Sequence, residues 1–140
     1  MQNLIGITLS FFLLMSTSGT VSSSEAFDPK NVEIKIDHGV EVAGQRPGFK
    51  LSINNWIPNE KIKIFVISPA GETIELDKDS IHSDNEGLSI IGIDYQREGF
   101  FKGTWVLVIA GKGGIHQLTI KLPSVTPPSD TNKNWVVNFE

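Results

Sequence analysis

From Val32 to Asp37 the chain alternates apolar and charged residues without a break, Val-Glu-Ile-Lys-Ile-Asp. A period of two marks a strand with one dry and one wet face. A strand is therefore predicted there, entered after Asp28-Pro29 and ended by a turn at His38-Gly39. Phe49 to Asn54 repeats the rhythm after a break at residues 44–48. It ends at a corner, Asn55-Trp56-Ile57-Pro58-Asn59, where Pro58 cannot donate to a ladder and restricts the residue before it. Ile62 to Ile67 is richer in apolar residues, the pattern of a central strand covered on both faces, and Leu88 to Tyr95 and Trp105 to Ala110 also read as buried strands. Ser68-Pro69-Ala70-Gly71 has the chemistry of a tight turn, after which Thr73 to Leu76 resumes alternation. Asp77 to Gly87 is polar and long enough to cross between two sheets. The glycine-rich run 111–114 predicts a hairpin into Ile115 to Leu122. In that last strand His116, Leu118, Ile120 and Leu122 share one face, and Gln117, Thr119 and Lys121 share the other.

About seven short strands punctuated by Gly and Pro, with no helical period beyond the first 26 residues, predict an all-β fold, an antiparallel β-sandwich over residues 30–123. Residues 124–140 divide into a Pro-rich linker, stiffened by Pro127-Pro128, and an apolar terminal segment, Asn134 to Glu140. Three fates are open to that segment: an edge strand on its own domain, donation to a partner's sheet edge, or disorder.

Residues 1–26 have the order of a signal peptide. An apolar run, Leu4 to Met15, precedes the small and polar stretch Ser16 to Ser24, which places cleavage near Ser24 or Ala26. A bilayer span needs about 20 mostly apolar residues, more than this run supplies. The expectation is a secreted or periplasmic protein with no membrane span after leader removal; an uncleaved anchor or a buried first helix is the alternative. No cysteine follows the run, so a bacterial lipoprotein anchor is ruled out.

Phe49 to Leu122 resembles the immunoglobulin-like modules of bacterial secreted and surface proteins. The likeness is carried by the corner Asn55-Trp56-Ile57-Pro58-Asn59-Glu60, the turn Ser68-Pro69-Ala70-Gly71-Glu72-Thr73, the turn Asp84-Asn85-Glu86-Gly87 and the late strand Gly103-Thr104-Trp105-Val106-Leu107-Val108. A second likeness is to the jelly-roll P domain beside subtilisin-like proteases, through residues 34–38, 64–71 and 103–105; Phe49 to Trp56 intervenes there as an extra strand. Both resemblances imply a non-catalytic module that binds, spaces or stabilises.

Composition narrows the chemistry. The formal charge is −4 and the twelve cations are scattered, without the basic footprint that nucleic acid requires. With no cysteine, disulfides, thiolate metal sites and cysteine nucleophiles are excluded. His38, His82 and His116 form no short ligand spacing, and the acidic loop Asp77, Asp79, Asp84, Glu86 lacks the calcium-loop pattern. No serine lies in Gly-x-Ser-x-Gly. No catalytic residue, metal or cofactor is therefore expected. Recognition residues are sought among loop aromatics: Trp56 at the Pro corner, Phe100 and Phe101 between Gly99 and Gly103, and Trp135 in the tail. These residues either form an apolar patch or plug the ends of the sandwich. The expected function is protein binding or assembly. A carbohydrate-binding or hydrolase-accessory sandwich, stacking sugars on Trp56 or Trp135, is the alternative, and a small secreted enzyme is the third.

Overall fold

The computed structural model describes residues 27–140. The expected leader and its cleavage site lie outside the described residues. Among those residues, no helix is long and apolar enough to cross a membrane.

The strands are β1 (Glu33–Val42), β2 (Arg46–Asn54), β3 (Ile62–Ile67), β4 (Thr73–Leu76), β5 (Ser89–Asp94), β6 (Gly103–Gly111), β7 (Gly114–Leu122), β8 (Ser124–Thr126) and β9 (Val136–Asn138). Every pairing is antiparallel. One sheet has the order β1-β2-β5, a second the order β4-β3-β6-β7, and β8 and β9 form a separate ribbon. Asp77 to Gly87 carries the chain from the four-stranded sheet to the three-stranded one.

The alternation of the sequence sets what lies between the sheets. Phe49, Leu51 and Ile53 of β2 and Ile93 of β5 meet Ile64 and Val66 of β3, Trp105, Leu107 and Ile109 of β6, and Ile120 and Leu122 of β7 in one buried cluster. Each such side chain contributes about 1.5–3 kcal/mol by leaving water. Ile34 and Ile36 point to the same core from β1 but stay half-buried, because β1 is an edge strand.

Four expectations are corrected. His38-Gly39 does not turn the chain: Gly39, at φ +73°, absorbs one extra residue as a bulge, and β1 continues to Val42. The bulge moves Val40 and Val42 to the outer face, where Val42 lies over Gly48 and Gly92. The break placed at residues 44–48 is shorter, because Arg46–Gly48 already pair with β1. The apolar strand β3 is central, yet only one of its faces is covered; Phe65 and Ile67 stand half-exposed on the outer face beside Val106, Val108 and Ala110. The Pro-rich segment after Pro123 begins with a strand, and its register of Ser124 opposite Asn138 and Thr126 opposite Val136 folds the tail back onto it. Val125, Val137 and Phe139 of this ribbon pack against the core.

Candidate functional site

The β5–β6 loop is built by local hydrogen bonds. Asp94 caps it, its Oδ1 accepting the Gln96 N–H at 2.8 Å. Successive turns then form as Arg97 N–H donates to the Asp94 carbonyl and Phe100 N–H to the Arg97 carbonyl. Arg97 is tied to Asp77 at 3.0 Å. At the far end of the loop the Trp105 indole donates its Nε1–H to the Phe101 carbonyl at 2.9 Å. The Phe100 and Phe101 rings lie 5.3 and 5.0 Å from the Trp105 ring, both tilted onto it. Phe100 is thereby half-buried, while Phe101 remains 48% exposed.

Opposite this loop runs the junction of β7 and β8. Between them lies a groove of about 420 Å³ lined by Tyr95, Gln96, Phe100, Phe101, Lys102, Pro123, Ser124 and Val125. Its walls combine aromatic and aliphatic surface with one amide, two hydroxyls and one ammonium group. Such a mixture suits an apolar anchor flanked by hydrogen-bonding groups.

Tyr95 joins the groove to a second cluster beneath it. Its phenol oxygen accepts the Gly39 N–H at 3.1 Å and stands 2.6 Å from His38 Nδ1. Which of the two groups donates in this contact follows the His38 tautomer, since the phenol oxygen can accept the Gly39 N–H and still either donate to Nδ1 or accept from it. Phe139 meets the His38 ring edge-on at 5.1 Å and the Tyr95 ring at 6.1 Å, and Phe49 closes the far side of His38 at 6.0 Å. Partial desolvation against these rings, on a side chain that otherwise stays exposed, holds the His38 pKa below its ordinary 6.5, and burial raises that of the Tyr95 phenol, the Gly39 N–H opposing the rise. The folded state therefore prefers neutral His38. The stability this contributes is present above pH 6.5 and is lost as the pH falls from there through the depressed folded value. Thermal melts between pH 7.5 and 5 should show a decline for the parent protein that is smaller in His38→Gln; equal declines would remove His38 from the account.

Trp56 lies elsewhere and is 2% exposed. It packs over Gly113 of the β6–β7 hairpin and edge-on to His116 at 5.8 Å, so it fills the opposite end of the sandwich and presents no stacking face. Its indole Nε1 has no hydrogen-bond partner among the described residues. Trp135 is half-buried in the tail. Of the four aromatics singled out from the sequence, the structure brings together Phe100 and Phe101 and separates both from Trp56. Tyr95, His38 and Phe139 were missed; an isolated loop tyrosine and a strand histidine 57 residues apart carry no sequence signal of their contact.

The acidic loop is spent on structure. Asp79 binds Lys61 at 2.8 Å, which lowers its pKa. Asp77 holds Arg97. The Asp84 carboxylate accepts the N–H groups of Leu88 and Glu86, and these bonds hold its pKa below the ordinary value. Among the described residues, no three His, Asp or Glu side chains converge in a way that could hold a metal ion. No protein-family model matches the chain, and no curated protein or solved structure shows significant similarity to it.

Proposed function

We propose that this chain is an exported, non-catalytic, immunoglobulin-like module that acts by binding another protein, with the groove beside Phe101 as a contact site. The observation that carries the proposal is the state of Phe101. Its ring rests on Trp105 and its carbonyl is held by the Trp105 indole, yet nearly half of its surface stays in water at the mouth of a groove. An aromatic anchor already fixed before contact loses little conformational freedom on binding, which is the physical basis of an interface hot spot. Lys102 beside it supplies a charge for orientation. The immunoglobulin-like part of the reading is supported by strand order: strands 1, 2 and 5 form one sheet and strands 3, 6 and 7 the other, with strand 4 at the second sheet's edge.

The test is a photoreactive phenylalanine analogue placed at position 101 and irradiated in the source organism. A discrete heavier species is expected, identified as one protein by mass spectrometry, and absent when the analogue stands at the exposed Glu41. No adduct from position 101 would overturn the groove assignment. Phe101→Ala should weaken capture of the identified partner at least tenfold, a change of about 1.4 kcal/mol, while leaving the melting temperature nearly unchanged because the ring is half in solvent. Intrinsic fluorescence addresses the carbohydrate reading. Trp56 and Trp105 are buried, so a response to oligosaccharides would have to come from Trp135, and none is expected.

A further inference from the structure

The two sheets leave four edges, and they are not equally guarded against pairing. β1 carries Glu33, Lys35, Asp37 and Glu41 and is interrupted by the Gly39 bulge; β4 is only four residues long; β5 is six residues long and ends at Asp94, which is held by Arg46. Charges, bulges and shortness are the devices that keep sheet edges from joining. β7 has nine residues, no bulge, no proline and a single charge, Lys121.

Its free backbone groups can be identified. The two-residue turn puts Gly111 opposite Gly114, and in a tight hairpin the pair flanking the turn is hydrogen-bonded, with bonded and non-bonded pairs alternating from there. Gly114, His116, Leu118, Ile120 and Leu122 therefore bond to β6. Ile115, Gln117, Thr119 and Lys121 direct their N–H and C=O groups to the open edge, where no hydrogen bond satisfies them among the described residues. The same four side chains lie on the outer face, and Ile115 is 78% exposed, the most exposed large apolar residue described.

We propose that β7 pairs antiparallel with β7 of a second copy of this chain about a two-fold axis at Leu118, joining two four-stranded sheets into one of eight strands. The proposal rests on the reading of the chain as a protein-contact module and names a partner for an edge distinct from the groove. Self-pairing must keep core-facing residues on the same side in both copies, so a residue can oppose only one of like parity. Centring on Leu118 meets this condition and is the register that overlaps all nine residues; centring on Thr119 runs Ile115 against Pro123. In that register Ile115 stands opposite Lys121 of the second copy, Gln117 opposite Thr119, and Leu118 opposite itself. No like charges oppose, the Lys121 stem lies along the exposed Ile115, and the four outward residues of each copy complete one another's hydrogen bonds. A strand edge alone is a small interface, so a weak, concentration-dependent dimer is expected.

Sedimentation equilibrium of the purified chain tests this, and the expected result is an average mass that rises from monomer towards dimer with concentration. Thr119→Pro removes an N–H from the open edge without touching the bonds to β6. It should weaken the dimer at least tenfold while leaving the circular dichroism spectrum and the melting temperature close to those of the parent. Ile115→Lys should weaken it by opposing two cations, and the double change Ile115→Lys with Lys121→Glu should restore it. A chain monomeric at all accessible concentrations, a dimer indifferent to Thr119→Pro, or a double variant no better than the single one would each overturn the proposal. A monomer whose photo-crosslinked partner is lost in Thr119→Pro would assign the edge to another protein's strand; that also overturns self-pairing but leaves the contact-module reading standing.

Discussion

Trp105→Ala should cost about 3–5 kcal/mol of unfolding free energy, read from the shift of a urea denaturation midpoint at constant slope. A domain of this size has about 5–15 kcal/mol in all, so the variant would sit near the limit of folding. The size of the effect follows from position. Trp105 is fully buried at the centre of the four-stranded sheet, paired with Ile120 of β7 and packed under Phe100 and Phe101. Truncation opens a cavity beneath the β5–β6 loop and removes the donor that holds the Phe101 carbonyl. Trp105→Phe separates the two effects. It keeps an aromatic ring in the core while removing the indole N–H and three ring atoms, so the loss of about 1–3 kcal/mol should be smaller than for alanine, yet it should still reduce partner capture through Phe101, because the loop loses its tether. If Trp105→Phe binds as tightly as the parent, the indole tether does not position the anchor.

The parts of the fold legible in the sequence are those where one face is wet. β1 up to its bulge, β2 from Phe49 and β7 from Leu118 alternate cleanly, and these stretches present their apolar residues to the core as the period of two requires. The apolar run Ile62 to Ile67 was less transparent, because continuous hydrophobicity implies two covered faces and the structure covers one. Phe65, Ile67, Val106, Val108 and Ala110 are only partly shielded, by their neighbours within the sheet. Gly39 was ambiguous in principle: a glycine after an alternating run serves a turn or a bulge equally well, and only the register with β2 decides. Proline content misled at residues 123–130, where the prolines flank β8 without entering it, so Ser124 to Thr126 remain free to pair. For the site, Phe100-Phe101 between two glycines stood out as a loop anchor. Its floor did not, since Tyr95, His38 and Phe139 come from three distant segments and meet only after the sheets close. Trp56 beside Pro58 looked like a surface corner, but burial is set by what folds over it, here the hairpin glycines of β6 and β7.

That corner supplies the second large effect. Gly87→Ala should destabilise the protein by about 3 kcal/mol or more, from two independent causes. Gly87 has φ +80°, a left-handed conformation that costs a side-chain-bearing residue about 1–2 kcal/mol. A Cβ there would also collide with the carbonyl oxygen of Trp56, and relieving such overpacking typically costs about 1–3 kcal/mol. The contact cannot simply open. The Trp56 N–H donates to the Gly87 carbonyl at 3.0 Å, the Gly87 N–H donates to the Asp84 carbonyl, and the Asp84 carboxylate caps Glu86 and Leu88. The turn is thus held on both sides while Trp56 is wedged under the β6–β7 hairpin. Gly39→Ala provides the comparison, since Gly39 has a similar φ of +73° but open space where its Cβ would go. It should show the dihedral cost alone, and the difference between the two variants in matched urea titrations isolates the steric part. Equal losses would mean that the Asp84–Gly87 turn gives way freely and does not clamp Trp56 in place.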